Sequence, residues 1–469
     1  MKIITSLRGK RGTMAQPGGQ SPETHAGDSL VSVALRIMFF IFCVSIISFL
    51  SACKNKNEDK HLRASADSSL INTKHLDHLY IPVTFLDSVK AAGIYIYAEA
   101  PNYHLVADSD EGFTCVDDVS RAALVYLRSK SFSIDTAIQN KAFNLLRFIL
   151  EMQSENGYFY NFLFPDNTIN KKGTTSINTP NWWSWRALQT LTEASPIVKE
   201  MNAPLTKKID TAINKLVIKI KNELTNLPRN TKVVKGITVP QWLPAGSATD
   251  QASILILSLI NYCTEHDDSE VRNFIRKLAD GIIMMQQGDE THFPYSCFLS
   301  WENVWHAYGC DQSYALMKAG RFLNDSNYIK KAFAEVDNFY PWLLKNGMRS
   351  SFSIIEREKE FVIVDEKNFS QIAYDIRPMI FAATEAFEVT GKQKYADIAA
   401  QLAAWFFGAN AANQIMYDKN TGRCFDGIIA DNKLNKNSGA ESTIECLLAL
   451  QKIENYPAII SGLNKYKKQ

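Results

Sequence analysis

The sequence predicts an all-α fold: a closed ring of six helical hairpins, with short β-hairpins and loops at its mouth. Two observations carry this. Apolar helices rich in small residues alternate with amphipathic ones at roughly 60 residues per pair, the spacing of a supersecondary repeat of the solenoid or ring kind. Four of the apolar helices also open on acids, at Asp117-Asp118, Thr249-Asp250, Tyr374-Asp375 and Ser438-Gly439-Ala440-Glu441. Carboxylates suit a helix start, where unpaired N–H groups and the helix dipole favour negative charge. One such start is ordinary, but four in register describe a shared rim.

Taken in order, the chain opens with an apolar run from Ile37 to Leu50 behind Arg36, too short to span a bilayer comfortably, that ends in Leu50-Ser51-Ala52-Cys53. The predicted divisions are 1–52 as a signal segment, 53–79 as a solvated tether and 80–469 as the ring domain. The polar stretch ahead of Arg36 is long for a signal, which leaves Met14 or Met38 as alternative starts. Within the ring, buried helices are expected near 117–130, 180–195, 247–264, 303–319, 369–390 and 438–453. Charged outer partners follow the first five, near 135–153, 199–224, 267–287, 325–345 and 392–408. The outer pattern is plainest where Lys207, Lys208, Lys215 and Lys219 oppose Ile209, Ile213, Leu216 and Ile220. A sixth outer partner is expected from Val83 to Ala92, which would close the ring without an exposed apolar end. Strand-and-turn loops are expected at Asn156 to Phe162 and at Phe352 to Val364.

Composition narrows the function. The chain has 51 basic and 49 acidic residues; the first 52 residues hold five and two of these, leaving 46 basic against 47 acidic. That balance is no footprint for nucleic acid. The eight cysteines show no Cys-x-x-Cys spacing, and His292 and His306 stand apart from any metal pattern, so neither a metal nor another cofactor is expected.

Asp117-Asp118-Val119-Ser120-Arg121-Ala122, Asn156-Gly157-Tyr158, the Asn181 to Leu188 stretch and Asn437 to Thr443 resemble the six-hairpin glycosidase superfamily, the (α/α)6 toroids, over residues 80–469. The end of the leader resembles a bacterial lipoprotein signal, which implies lipidation of Cys53 and a membrane-tethered, periplasmic or surface protein. The superfamily resemblance implies a carbohydrate cleft where the inner helices begin, worked by Asp and Glu. Hydrolysis of a glycosidic bond needs one carboxylic acid and one carboxylate, and the candidates are Glu302, Asp117, Asp118, Asp250, Asp375 and Glu441. Adjacent Asp117 and Asp118 cannot both point the same way on a helix, so one caps while the other faces the cleft.

The densest constellation runs from Trp301 through Glu302, Trp305, His306 and Tyr308 to Asp311. Its aromatic rings could stack on sugars, or Trp301, Trp305 and Tyr308 could form a core stripe at i, i+4 and i+7. Trp182, Trp183 and Arg186, together with Tyr374 and Arg377, are the other substrate-binding candidates. Glu441 and Glu445 lie four apart on one helix face and repel unless one holds a proton or each has a partner. Acids on separate inner helices are expected to stand apart at an inverting spacing. The expected activity is that of a glycoside hydrolase on an oligo- or polysaccharide. A polysaccharide lyase or sugar epimerase using Tyr308 or His306, or a glycan-binding protein without turnover, is the alternative.

Overall fold

The computed structural model describes residues 69–468. Thirteen α-helices occur among them, and after a short first one they pair into six hairpins. Helix α1 is Lys74–Leu79. The inner helices are α2 (Val116–Leu127), α4 (Trp182–Val198), α6 (Thr249–Glu265), α8 (Gln312–Leu323), α10 (Ala373–Thr390) and α12 (Ala440–Ile453). Each is followed by its outer partner: α3 (Thr136–Glu151), α5 (Ala203–Ile220), α7 (Ser269–Met284), α9 (Ser326–Asn346), α11 (Gln393–Ala403) and α13 (Pro457–Tyr466). Consecutive inner helices pack on one another, and α12 returns to pack on α2, so the ring is closed.

The two rings differ in why they are helical. Inner helices have no wet face: α6 buries every residue from Thr249 to Leu259, and α2 every residue from Asp118 to Leu127. Their polar members are satisfied within the helix, as Ser253, Ser258 and Thr384 each donate to the carbonyl four residues back. Outer helices are amphipathic. Helix α5 turns Leu205, Ile209, Ile213 and Leu216 inward and leaves Lys207, Lys208 and Lys215 in solvent. The core therefore fills the annulus between the rings, where Trp185, Trp305 and Trp405 are almost fully buried.

Three expectations need correction. Val83 to Ala92 is not the sixth outer helix; Tyr80–Thr84 and Lys90–Ile94 pair as an antiparallel hairpin. Pro82 would cost a helix its hydrogen bond, and the β-branched Ile81, Val83 and Thr84 favour the extended chain. The helix that follows the sixth inner one is α13, started by Pro457 in the first turn, and it packs chiefly against α11. The tether expected over 53–79 also ends early, because α1 buries His75, Leu76 and Leu79, and Asn72 donates two hydrogen bonds to backbone carbonyls of Lys419 and Asn420. Finally, the helix expected from 303 begins only at Gln312. Val304–His306 is instead the edge of a three-stranded antiparallel sheet with Ser351–Arg357 and Glu360–Lys367. Cys53 and the leader lie outside the described residues.

One buried acid in the annulus offers a test of this packing. Glu335 on α9 is 2% exposed, and it accepts hydrogen bonds from Phe298 N–H at 2.8 Å and Ser313 Oγ–H at 2.6 Å. Burial outweighs these bonds and pushes its carboxyl up to about 7. A raised carboxyl contributes stability below its unfolded value near 4.5 that is lost as pH rises through about 7, on the order of 3 kcal/mol. Glu335→Gln should flatten the fall in melting temperature between pH 5 and pH 8, read by calorimetry; an unchanged slope would contradict the assignment.

Candidate functional site

Arg121 sits one turn into α2 with only 3% of its side chain exposed, and its guanidinium gathers four acids. Nη2 lies 2.7 Å from Asp118 Oδ1, 2.9 Å from Asp117 Oδ2 and 3.4 Å from Glu441 Oε2, while Nη1 lies 2.7 Å from Glu445 Oε1. The two aspartates come from the same helix, at i−3 and i−4, and the two glutamates from α12. Adjacent Asp117 and Asp118, expected to point apart with one as the cap, instead turn to the same nitrogen, and the cap is Cys115, whose Sγ accepts from Asp118 N–H at 3.4 Å. Glu445 is shared in turn with Arg377 of α10, whose Nε is 2.6 Å from Oε2 and whose Nη1 is 2.6 Å from Asp311 Oδ1.

Below this layer the ring has a floor. Tyr374, at the start of α10, carries Arg121, Arg186 and Arg377 around its ring at 5.1, 5.3 and 5.4 Å from the centroid. Its hydroxyl accepts from Nη2 of Arg186 on α4. In a ring of six, α4 and α10 stand opposite each other, so this bond crosses the diameter. The loop before α8 leans onto the floor at Gly309, in the left-handed region at φ +65°, where a Cβ would come within 2.9 Å of Tyr374 Oη and 3.1 Å of the Trp182 ring. Only glycine fits that approach.

Above the floor lies a cavity of about 340 Å3 lined by Tyr97, Glu111, Asp117, Asp118, Arg121, Asn161, Asp426 and Glu441, large enough for a sugar unit. A larger groove of about 490 Å3, around Leu343, Trp405 and Asn410, holds none of the candidate acids.

The acids around Arg121 are driven apart in their affinity for protons. Burial, moderated by Arg121 and reinforced by Asp118, Glu445 and Asp117, pushes Glu441 up to about 7. Since 43% of that side chain faces solvent, water in the mouth tempers the push. Burial, again opposed by Arg121, brings Asp118 up to about 6. Burial acts on Glu445 in the same sense, but Arg377, Arg121 and Arg186 together outweigh it and hold the carboxyl at about 2. Asp375 is raised well above the usual range by burial, against the hydrogen bond it accepts from Ile372 N–H at 2.9 Å, with Glu441 adding to the rise.

Asp250 is 3% exposed and lies 3.0 Å from Nε2 of His306. Nδ1 of that histidine is 2.8 Å from the Tyr308 carbonyl, and the Tyr308 ring stacks on it at 3.7 Å. Both imidazole nitrogens therefore face acceptors. Tyr308 and Trp301 expose 42% and 43% of their surface, and Trp182 is half-buried.

Three candidates depart from expectation. Glu302 pairs with Lys232 at 2.5 Å on a loop with φ 49°, and its cation is not the one that collects the ring acids. Trp183 is 6% exposed and donates to the Phe159 carbonyl at 2.7 Å, on the face of α4 turned toward the annulus. Trp305 is 1% exposed, stacked on Phe352 at 5.0 Å and edge-on to Phe339. These two tryptophans are core. A run of aromatics does not say which face each ring takes, and strand geometry sends Trp305 to the opposite side from its neighbours.

Arg121 was legible as a residue at i+3 and i+4 from two acids, a spacing that pairs charges on a helix. Glu111 and Asp426 come from loops that carry no periodic signal.

Neither a protein-family model nor a curated protein matches the chain. Among solved structures it is similar to cellobiose 2-epimerase from Spirochaeta thermophila DSM 6192, with TM-score 0.56 and 10% identity over 84% of this chain and 97% of that one. It is likewise similar to a sugar epimerase from a ruminal bacterium, with TM-score 0.54 and 12% identity over 84% of this chain and 98% of that one. A GH127 beta-arabinofuranosidase aligns at TM-score 0.45 and 13% identity over 74% of this chain, which spans about half, 52%, of that enzyme's length. At these identities the likeness is one of fold alone, and the fold is the (α/α)6 toroid.

Removing a buried cation leaves its acids uncompensated, a loss of about 3–5 kcal/mol. Arg121→Met should therefore lower unfolding free energy by about that amount in urea titrations at pH 7, and adding Glu445→Gln should restore part of it. Stability equal to that of the parent would show that Arg121 does not hold these acids.

Proposed function

We propose that this chain is a glycoside hydrolase acting on an oligo- or polysaccharide, with Glu441 as the acid and Asp117 as the carboxylate that faces it. The carrying observation is that both accept from one nitrogen, Nη2 of Arg121, at 3.4 and 2.9 Å. The oxygens that share this nitrogen lie no more than about 6.3 Å apart, which admits the 5–5.5 Å of a retaining pair. Ring geometry alone would hold such acids apart, but the shared guanidinium draws them together, and retention is the stereochemistry we propose.

In this reading protonated Glu441 gives its proton to the leaving oxygen as Asp117 attacks the anomeric carbon. Glu441 then takes a proton from the water that releases the sugar, and both carboxyls return to their starting states. Asp118 stays closed in, held by Arg121 and by the Cys115 thiol 3.3 Å from Oδ2, and orients the guanidinium. Trp182 and Tyr308, which stand beside Gly309 and Tyr374 at the floor, are the aromatic faces we propose for stacking on a sugar.

A lyase or epimerase reading needs a base that removes a carbon-bound proton. His306 has a lone pair to offer only if it gives up Asp250 or the Tyr308 carbonyl. Burial raises the phenol of Tyr374, and burial with Asp250 and Asp375 raises that of Tyr308, so neither phenolate is favoured. The acids of the mouth suit hydrolysis better. A binding protein without turnover is the outcome if no glycoside is cleaved.

Glu441→Gln and Asp117→Asn should each lower kcat/KM on a cleaved glycoside by about a hundredfold or more. The parent's rate should fall as pH rises through about 7, because Glu441 must be protonated, and the Gln variant should lose that limb. Proton NMR of the first product should show the substrate's anomer. Full activity in either variant rejects these roles, and the opposite anomer rejects retention.

We further propose that the enzyme is tethered to a membrane of the bacterial cell envelope, facing the periplasm or the outer surface, through lipidated Cys53. The support is Leu50-Ser51-Ala52-Cys53 after an apolar run too short to span. Cys53→Ala should move the protein out of the membrane fraction and change its gel mobility; unaltered fractionation and mobility would defeat the idea.

A further inference from the structure

The Tyr374 floor has a second side. Beneath it the ring encloses a lumen of about 190 Å3 whose lining comes from all six inner helices, one to three turns in from their starts. Five cations line it, Arg121, Arg128, Arg186, Lys318 and Arg377, against two carboxylates, Glu193 and Glu445. The other acids bonded to Arg121 and Arg377 approach from the mouth: Asp117, Asp118, Glu441 and Asp311. Cations therefore outnumber carboxylates on the lumen's own lining, and Arg121 reaches both this space and the mouth.

We propose that this lumen binds a small monovalent inorganic anion of the chloride kind. Two corners of buried guanidiniums point to it. Nη2 of Arg377, whose side chain is only 5% exposed, has no protein hydrogen-bond partner, although Nε and Nη1 of the same group are each held at 2.6 Å. Nη1 of Arg186, 4% exposed, has only Gln189 Oε1 at 3.5 Å, the outer limit of a hydrogen bond. A buried donor left without a partner is costly, and a small anion supplies the acceptor that these corners lack. The remaining walls explain the size of the ligand. Leu124, Leu257, Phe381 and Leu448 are apolar, so a tetrahedral oxyanion would leave oxygens without donors. Arg128 is already engaged by Glu193 through Nε at 2.6 Å and Nη2 at 2.7 Å, and Lys318 by Glu385 at 3.0 Å. These two add field rather than free donors. The inference stands whether or not the mouth is a hydrolase site.

The test is crystallographic and thermal. Crystals of the protein grown in sodium bromide should show one anomalous peak in the lumen within hydrogen-bond reach of Arg377 Nη2. The melting temperature should rise with sodium chloride relative to sodium gluconate at equal ionic strength, as expected for a ligand bound only to the native state. Sodium sulfate should give no chloride-like density there. Arg377→Lys, which keeps the charge but removes the fork, should lose the peak and the chloride-specific shift. A lumen that holds water alone in bromide, or bromide only on the outer surface, overturns the proposal. So does a sulfate ion at that position, or an Arg377→Lys crystal that keeps the peak. Should that variant fail to fold, the parent crystal in bromide decides the matter.

Discussion

Closure of the ring rests on one buried guanidinium. Arg121 belongs to the first inner helix and Glu445 to the last, 324 residues away, and their contact is 2.7 Å long inside a core that excludes water. Taking either charge into that core alone is costly; together, with Asp117, Asp118, Glu441 and Arg377 supplying the remaining bonds, the pair is satisfied. Apolar packing would join α12 to α2 with little regard for register. The guanidinium fixes which turn of one helix meets which turn of the other, and with it the height of every inner helix start on the rim.

That same constraint arranges the chemistry. Because Arg121 needs several carboxylates to pay for its burial, it assembles more acid at the mouth than any one reaction uses. The acids then divide among themselves. Glu445, gripped by Arg377 as well, keeps its charge, whereas Glu441 at the solvent edge is left with the proton. The proton-rich and proton-poor members of the site thus arise from how many arginines each one touches.

The helical ring and its acidic rim were legible from the chain because both have local signatures: periodicity over one helix, and carboxylates in a first turn. Asp117, Asp118, Asp250, Asp375 and Glu441 were visible in that way. What lay beyond reach was any feature set by a partner far off in sequence, such as Glu445 meeting Arg121 or Tyr374 meeting Arg186 across 188 positions. Trp183 and Trp305 were misread because size and aromaticity are the same for a stacking wall and for a core. Glu302 was overweighted for its tryptophan neighbour, when Lys232 on a separate hairpin decides its charge environment. The last outer helix was missed because α13 is brief and buries only Ile459 and Leu463.

The bond across the diameter between Arg186 and Tyr374 makes the toroid a cup rather than a tube. With three arginines packed around that tyrosine, the axis is sealed at mid-height. No polymer can thread through the ring, and any ligand that enters the mouth must back out by the opening through which it came. Traffic at the mouth is two-way, and each departure has to clear the doorway before the next arrival.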